Sequence, residues 1–441
     1  MALRWVTCRR PGETPLEHRD STRRFWRISA GGIFFQGGAA AVDSSTIIAA
    51  LVYGLTGNTF AVGAATAILR YGWLFPQLFV GYLAQRRRRR MPFYKVGAFG
   101  RAACLAGVAG VLAMGGVLSG SVLIALFFLL WTAYAFISGI VAVPYNDIVA
   151  RSVPSKRRSR LLAIRFFGGG LLAIVVAAVA HRLLNAVTFP GGYAALALLG
   201  SALLFASSFC FVSAGEPLAP EPRAYSGGFM GFLREGREVF RGDRHFRLFV
   251  YSQWLGGLVM MALPFYVLQV IAIQGGAGDV AFLLGAQTAG ALLSNALWGW
   301  WGDRYGKQSL LEGVAALRAA PPLLTIVWAL FVADGTVAPL AGFLVVFMLL
   351  GALINGTTIA MLGYLMEISP DEKRPAYSGY FNAIVAPAAL LPLAGAAIVE
   401  ATSLNGVILV SLGAAALQFL TVRRLRGVSK GDLGQCSSSA A

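Results

Sequence analysis

From residue 28 to residue 421 the chain alternates long apolar blocks with short polar breaks. A helix needs about 20 apolar residues to cross the roughly 30 Å hydrocarbon core of a bilayer. In lipid, every backbone polar group must also be satisfied within the protein. The pattern therefore predicts twelve transmembrane helices, at 28–52, 60–84, 93–117, 120–144, 162–184, 192–213, 246–272, 279–301, 309–331, 337–360, 378–401 and 404–421. The expected fold class is an all-α polytopic membrane protein. A polar connector, 214–245, splits the spans six and six, giving bundles over 28–213 and 246–421 with tails at 1–27 and 422–441. The connector opens Pro-rich and then sets Phe229, Phe232, Leu233 and Phe240 on one helical face. Such a helix is expected to lie in the membrane interface; a solvated linker is the alternative.

Composition agrees with the pattern. Apolar residues make up 57% of the chain and charged residues 13%, with a mean hydropathy of +0.69; a soluble domain carries about twice that charged fraction. The net charge of +18 sorts by loop. Lys and Arg gather in the two tails and in the loops after spans 2, 4, 6, 8 and 10, while the opposite side holds one, Arg182, against Asp279, Asp334 and Glu400 at the loop margins. That is the positive-inside bias, and it predicts both termini in the cytoplasm. The arginine run in GYLAQRRRRR, Gly81 to Arg90, then holds topology and touches anionic lipid headgroups. The basic excess is thereby explained without a nucleic-acid partner. Arg outnumbers Lys 32 to 5, which fits a bacterium with a GC-rich genome and hence an inner-membrane protein.

Several function classes lose support at this point. The first 27 residues lack the apolar core of a cleavable signal. Cys8, Cys104, Cys210 and Cys436 show neither metal nor redox spacing, and His18, His181 and His245 stand far apart. No P-loop, zinc or nucleophile motif is present, so the expectation is no enzyme, no cofactor and no metal.

The two bundles carry one repeated pattern. Gly81-Tyr-Leu-Ala-Gln-Arg86 aligns over Gly299-Trp-Trp-Gly-Asp-Arg304 at an offset of 218. Arg101 aligns with Arg318 at 217, and VPSKRR (153–158) with SPDEKR (369–374) at 216. Two parallel six-helix repeats are a transporter architecture. The stretch G-W-W-G-D-R-Y-G-K, Gly299 to Lys307, resembles the Gly-x-x-x-Asp-Arg-x-Gly-Arg/Lys signature of the major facilitator superfamily. Glu367 and Arg374 resemble the Glu/Arg pair its members carry after span 10. The likeness covers essentially the whole chain and implies a 6+6 pseudo-twofold transporter. The Gly-Pro-rich antiporter motif of drug exporters is missing from span 5.

The resemblance implies a conformational latch built from Gly81, Gly299, Asp303, Arg304, Gly306, Lys307, Glu367 and Arg374. Asp303 suits a helix N-terminus, and Arg304 and Lys307 suit pairing with Glu367. The alternative is a plain cytoplasmic turn. The first copy departs from the motif: Gln85 stands for Asp, Arg88 for the second Gly, and Arg151 occupies the place of Glu367, leaving Asp147 as the nearest carboxylate.

Ionisable groups at depth need a partner or a purpose. Asp43 lies 16 residues beyond Arg27, and Arg70 lies 16 before Arg86, so both sit about 24 Å from the basic boundary on neighbouring spans. Gln36 and Gln77, seven residues from each, form a second layer at equal depth, with Trp73 beside Arg70. The repeat maps Gln36 onto Gln253 and Gln77 onto Asn295. The amides are expected to join helices or to face a cavity. Asp43–Arg70 is either a fixed salt bridge or a functional pair, with Asp43 as the ion site or Arg70 as a counter-charge. Tyr134, Ser138 and Asn355 are further cavity candidates. Arg101 and Arg318 are expected to snorkel to the interface, and Gly168–Gly170, Pro387 and Pro392 to mark bends or irregular packing.

The function these features suggest is secondary transport of a small-molecule substrate by alternating access. Without an ATP motif, an ion gradient drives it, protons before sodium. The rivals are a uniporter, and a transport-inactive receptor or scaffold, against which the short outer loops argue.

Overall fold

The structure, a computed structural model, describes residues 15–84, 89–153, 155–217, 229–274, 280–333, 339–368 and 374–438. Cys8, Gln85, Arg86, Arg88, Asp279 and Asp334 lie outside the described residues, as do the side chains of His18, Phe232, Leu233, Arg374 and Cys436. Among the described residues the regular structure is helical: α1 (Pro15–Ala40), α2 (Ile47–Thr56), α3 (Thr59–Ala84), α4 (Met91–Ala113), α5 (Gly120–Ser152), α6 (Ser155–Ala186), α7 (Gly191–Ser213), α8 (Phe229–Gly242), α9 (Arg244–Met260), α10 (Leu263–Gln274), α11 (Val280–Arg304), α12 (Lys307–Leu317), α13 (Ala320–Ala333), α14 (Pro339–Ile368), α15 (Arg374–Val385), α16 (Leu391–Ala401) and α17 (Leu404–Ser438). Ten helical stretches among the described residues are long and apolar enough to cross a membrane, and they fall on predicted spans 3 to 12. Predicted spans 1 and 2 fall on α1 to α3.

The chain divides into two compact units, one of residues 1–43 and 72–224, the other of residues 44–71 and 225–441. In the first, α1 packs on α6 and α7, and α4 on α5 and α7. Its buried cluster includes Phe25, Ile28, Tyr94 and Phe211, with the Tyr94 and Phe211 rings 4.2 Å apart. In the second, α11 packs on α14, α9 on α17, and α2 on α10 and α11. Phe246, Phe249, Trp298, Tyr364 and Phe381 fill its largest cluster. Asp243 caps α9 by accepting from the backbone N–H of Phe246 at 2.9 Å, and Val239 and Phe240 of α8 pack against the same cluster.

Several spans are broken, and the breaks are placed with purpose. Residues 41–46 between α1 and α2 are non-helical. The positions offset by 217 fall at the Met261–Ala262 interruption between α9 and α10, so the repeat carries its break with it. Non-helical backbone at membrane depth survives only where protein satisfies it; here Ser45 and Thr46 are buried, and the Ser44 carbonyl accepts from the Thr66 hydroxyl at 3.4 Å. Span 11 turns through a 3-10 segment, Ala386–Leu390, that contains Pro387, as the prolines suggested. Gly168–Gly170 do not break α6. Side chains added at Gly168 and Gly169 would strike Ile33 and Gln36 of α1, so these glycines admit a neighbouring helix.

Candidate functional site

All of the latch residues except Gly81 lie in the second unit. Gly306 has φ +83, a conformation that favours glycine, and it ends α11 and opens α12. That turn carries Lys307 back so that its ammonium donates to Asp303 Oδ1 at 3.1 Å. Its alkyl stem runs along Gly363 of α14. The Arg304 guanidinium lies 6.0 Å from the Tyr305 ring centre. Glu367 is exposed and pairs with none of the described residues, so Lys307 takes Asp303 in place of the expected Glu367. Gly299 has open space where a side chain would start, and Gly81 lies in α3.

The first unit answers with a different constellation. Arg90 and Arg151 both pair with Asp147, and Arg151 also bonds Glu216 at 2.8 Å. Glu216 accepts the backbone N–H groups of Arg90 and Met91 at 2.8 and 2.9 Å. Burial pushes the Glu216 carboxyl up, and the bonds from Arg151, Arg90 and Met91 outweigh it, so its pKa ends below the ordinary 4.5. Sequence reasoning missed Glu216 because it opens a Pro-rich connector that reads as solvent. A group with a depressed folded pKa stabilises above its unfolded pKa and loses that contribution as pH falls through the folded value. Melting temperatures of wild type and Glu216→Gln should therefore differ by a constant amount above about pH 5 and converge on acidification. A difference independent of pH would contradict the role given to this carboxylate.

The deep polar residues separate into several environments. Asp43 stands half-buried in the break between α1 and α2, and Arg70 half-buried in α3; they belong to different units. Gln36 lies against Gly169, while the Gln77 amide donates to the Trp73 carbonyl of its own helix at 2.8 Å. The structure does not join these two amides to each other. Asn355 donates to Asn295 and to the Ala291 carbonyl, both at 3.1 Å, and so ties α14 to α11. Gln253 donates to the neighbouring Ser252 hydroxyl at 3.2 Å. Tyr134 is buried, its ring stacked on Trp131 at 5.1 Å.

Arg101 and Arg318 do not snorkel. They are 5% and 4% exposed. Arg101 lies ten residues inside α4, about 15 Å along its axis, and its guanidinium sits 4.8 Å from the Phe35 ring centre. Arg318 donates to Gln418 Oε1 and Thr357 Oγ1, each at 2.8 Å. Arg101 instead lines a cavity of about 280 Å³ in the first unit, together with Arg165, Trp73, Ser138, Tyr145 and Asn146. Arg165, on α6, donates to the Tyr145 hydroxyl at 3.0 Å and lies 5.5 Å from the same Phe35 ring. Its stem crosses α1 at Gly32, where a side chain would collide with it. Arg165 falls three residues inside predicted span 5, where an arginine reads as a boundary marker; the Gly31-Gly32 pair facing it on α1 was the available signal.

The sequence profile of the MFS/sugar transport protein family matches residues 50–318. No curated protein matches the chain by sequence. Among solved structures, a mutant of the nucleoside transporter NupG superposes with a TM-score of 0.70 at 12% identity, covering 91% of this chain and 99% of that one. A bacterial homologue of the iron transporter ferroportin in an outward-facing state gives 0.62 at 16% identity, covering 92% and 99%. An auto-inhibited peptide transporter of the POT family gives 0.68 at 12% identity, covering 92% and 97%. With a profile match over more than half of its length and this fold, the chain belongs to the major facilitator superfamily of membrane transporters, which are not enzymes.

Proposed function

We propose that this protein carries a small organic solute across a bacterial inner membrane by alternating access, driven by a proton gradient. The observation that supports this most is the family match over residues 50–318. The six-helix bundles of residues 28–213 and 246–421 are the moving parts, rocking with their basic ends in the cytoplasm. Asp43, a carboxylate in a broken span, is the proton site. Asp303, Arg304, Lys307, Glu367 and Arg374 form the latch, in which Lys307 exchanges Asp303 for Glu367 as the protein cycles; exposed pairs of this kind exchange at small cost. The family description names sugars, and the neighbours' names point to nucleosides, iron and peptides. These cargoes differ, so the cargo class has to come from this chain's own residues.

The test is uptake of a solute panel into proteoliposomes with and without an imposed pH gradient. The proposal expects accumulation above the external concentration only when the gradient is present. Equilibration alone would identify a uniporter, and no flux of any solute would favour a receptor or scaffold; either outcome overturns proton coupling.

A further inference from the structure

We propose that the cavity of the first unit binds an anionic group, a carboxylate or a phosphate, between Arg101 and Arg165, and that the transported solute carries that group. The second clause rests on the transporter reading; the binding site does not.

A guanidinium taken out of water needs compensation. Arg101 is almost fully buried, yet none of the described residues accepts a hydrogen bond from it, and its Nε is buried without a partner. Arg165 spends one N–H on Tyr145, and its Nε is likewise buried and unpartnered. No carboxylate among the described residues pairs with either arginine. The Phe35 ring lies against both cations. That contact orients the two forks and offsets part of the desolvation, and it supplies no acceptor. Two guanidinium groups converging on one cavity, with all but one of their hydrogen-bond donors unused, are what bidentate recognition of a carboxylate or phosphate requires.

The internal repeat supplies a control. Arg318 is the counterpart of Arg101 at an offset of 217; its two terminal nitrogens donate to Gln418 and Thr357, while its Nε, like that of Arg101, is buried without a partner. The positions 217 before those two are Ser201 and Ile140. Ser201 donates instead to the Ala102 carbonyl at 2.7 Å, and Ile140 has no polar group to offer. The second half therefore carries a structural arginine with built-in partners. The first half keeps the arginine, lacks the partners and adds a second cation beside a cavity. A cavity of about 280 Å³ is close to the lower end of ligand-sized pockets, about 300 Å³, so it suits a small anion or the charged end of a longer solute. Trp73, 47% exposed, lines it and offers a stacking surface for whatever is attached.

The experiment uses purified full-length protein in detergent and solute pairs that share a skeleton and differ in charge: succinate with succinamide, glucose 6-phosphate with glucose, and inorganic phosphate alone. The result expected is a rise in melting temperature with at least one charged member and none with its neutral partner. In Arg165→Gln the half-stabilising concentration should be weaker by about tenfold or more, and the control Arg182→Gln, exposed near the far end of α6, should leave it unchanged. Arg101→Gln should behave as Arg165→Gln does; if that buried variant does not fold, Arg165→Gln, Arg165→Lys and quenching of tryptophan fluorescence by the same solutes decide. Equal stabilisation by charged and neutral partners, or an unaltered response in Arg165→Gln, overturns the site. A rise produced only by added phosphatidylglycerol and by no soluble anion assigns the cavity to a lipid headgroup and also overturns the proposal. Charge-selective binding without flux in proteoliposomes would retain the site and sink the transporter reading; flux of neutral solutes insensitive to Arg165→Gln would do the reverse.

Discussion

Alanine at Gly351 or Gly290 is expected to destabilise the second unit more than any other single methyl added to the chain. The first carbon of a side chain at Gly351 would overlap the Gln287 carbonyl of α11, and one at Gly290 would overlap the Met348 carbonyl of α14. The two helices meet backbone to backbone there, the arrangement that small residues permit between membrane helices. The obstacle is backbone, which cannot swing aside as a side chain does. Each substitution should therefore fall at or above the upper end of the about 1–3 kcal/mol that overpacking costs. The readout is melting temperature and the monodisperse fraction after purification. Gly413→Ala is the control, because a side chain there meets nothing within 4 Å and gains helix propensity. Similar melting temperatures for Gly351→Ala and Gly413→Ala would contradict the close α11–α14 crossing.

Asp43→Asn is expected to abolish the dependence of uptake on a pH gradient while leaving exchange at equilibrium intact. A carboxylate at membrane depth is costly, and its neighbours in the break, residues 41–46, are backbone groups outside any helix. A site that stabilises the charged form in one conformation and the neutral form in another can couple protons to movement. Asparagine preserves the shape and removes the titration. Unchanged gradient dependence in this variant would sink the assignment, whereas loss of all flux would show that the carboxylate is required for cycling itself.

The sequence was most legible where its signal was repetitive. Spans 3 to 12 coincide with helices because each is a long apolar block, and the prolines announced the turn in span 11. The break at 41–46 was hidden, since its Ala, Val, Ser and Thr read as continuous span and its turn is closed by backbone bonds to Gly37, Ala39 and Ala40 and by the Thr66 hydroxyl on the Ser44 carbonyl. The offset of 217 singled out Arg101 and Arg318, but depth along a helix says nothing of which way a long side chain turns. Burial on opposite sides of the repeat, with partners for one and a cavity for the other, is a tertiary fact. Glu216 escaped notice for the same reason: its partners Arg90 and Arg151 lie more than sixty residues away. The latch motif was legible as a motif. Its present pairing, Lys307 with Asp303, follows from the turn at Gly306 and places the two charges at i and i+4 of the junction.

The central claim is that one site faces each side of the membrane in turn. Solute counterflow tests this most directly: proteoliposomes loaded with an excess of unlabelled solute, placed in a trace of the same labelled solute, with no ion gradient. Alternating access predicts a transient accumulation of label above equilibrium, because a loaded carrier returns by exchange. A channel, or a protein that only binds, would show label rising to equilibrium or not entering at all, and that result would contradict the account.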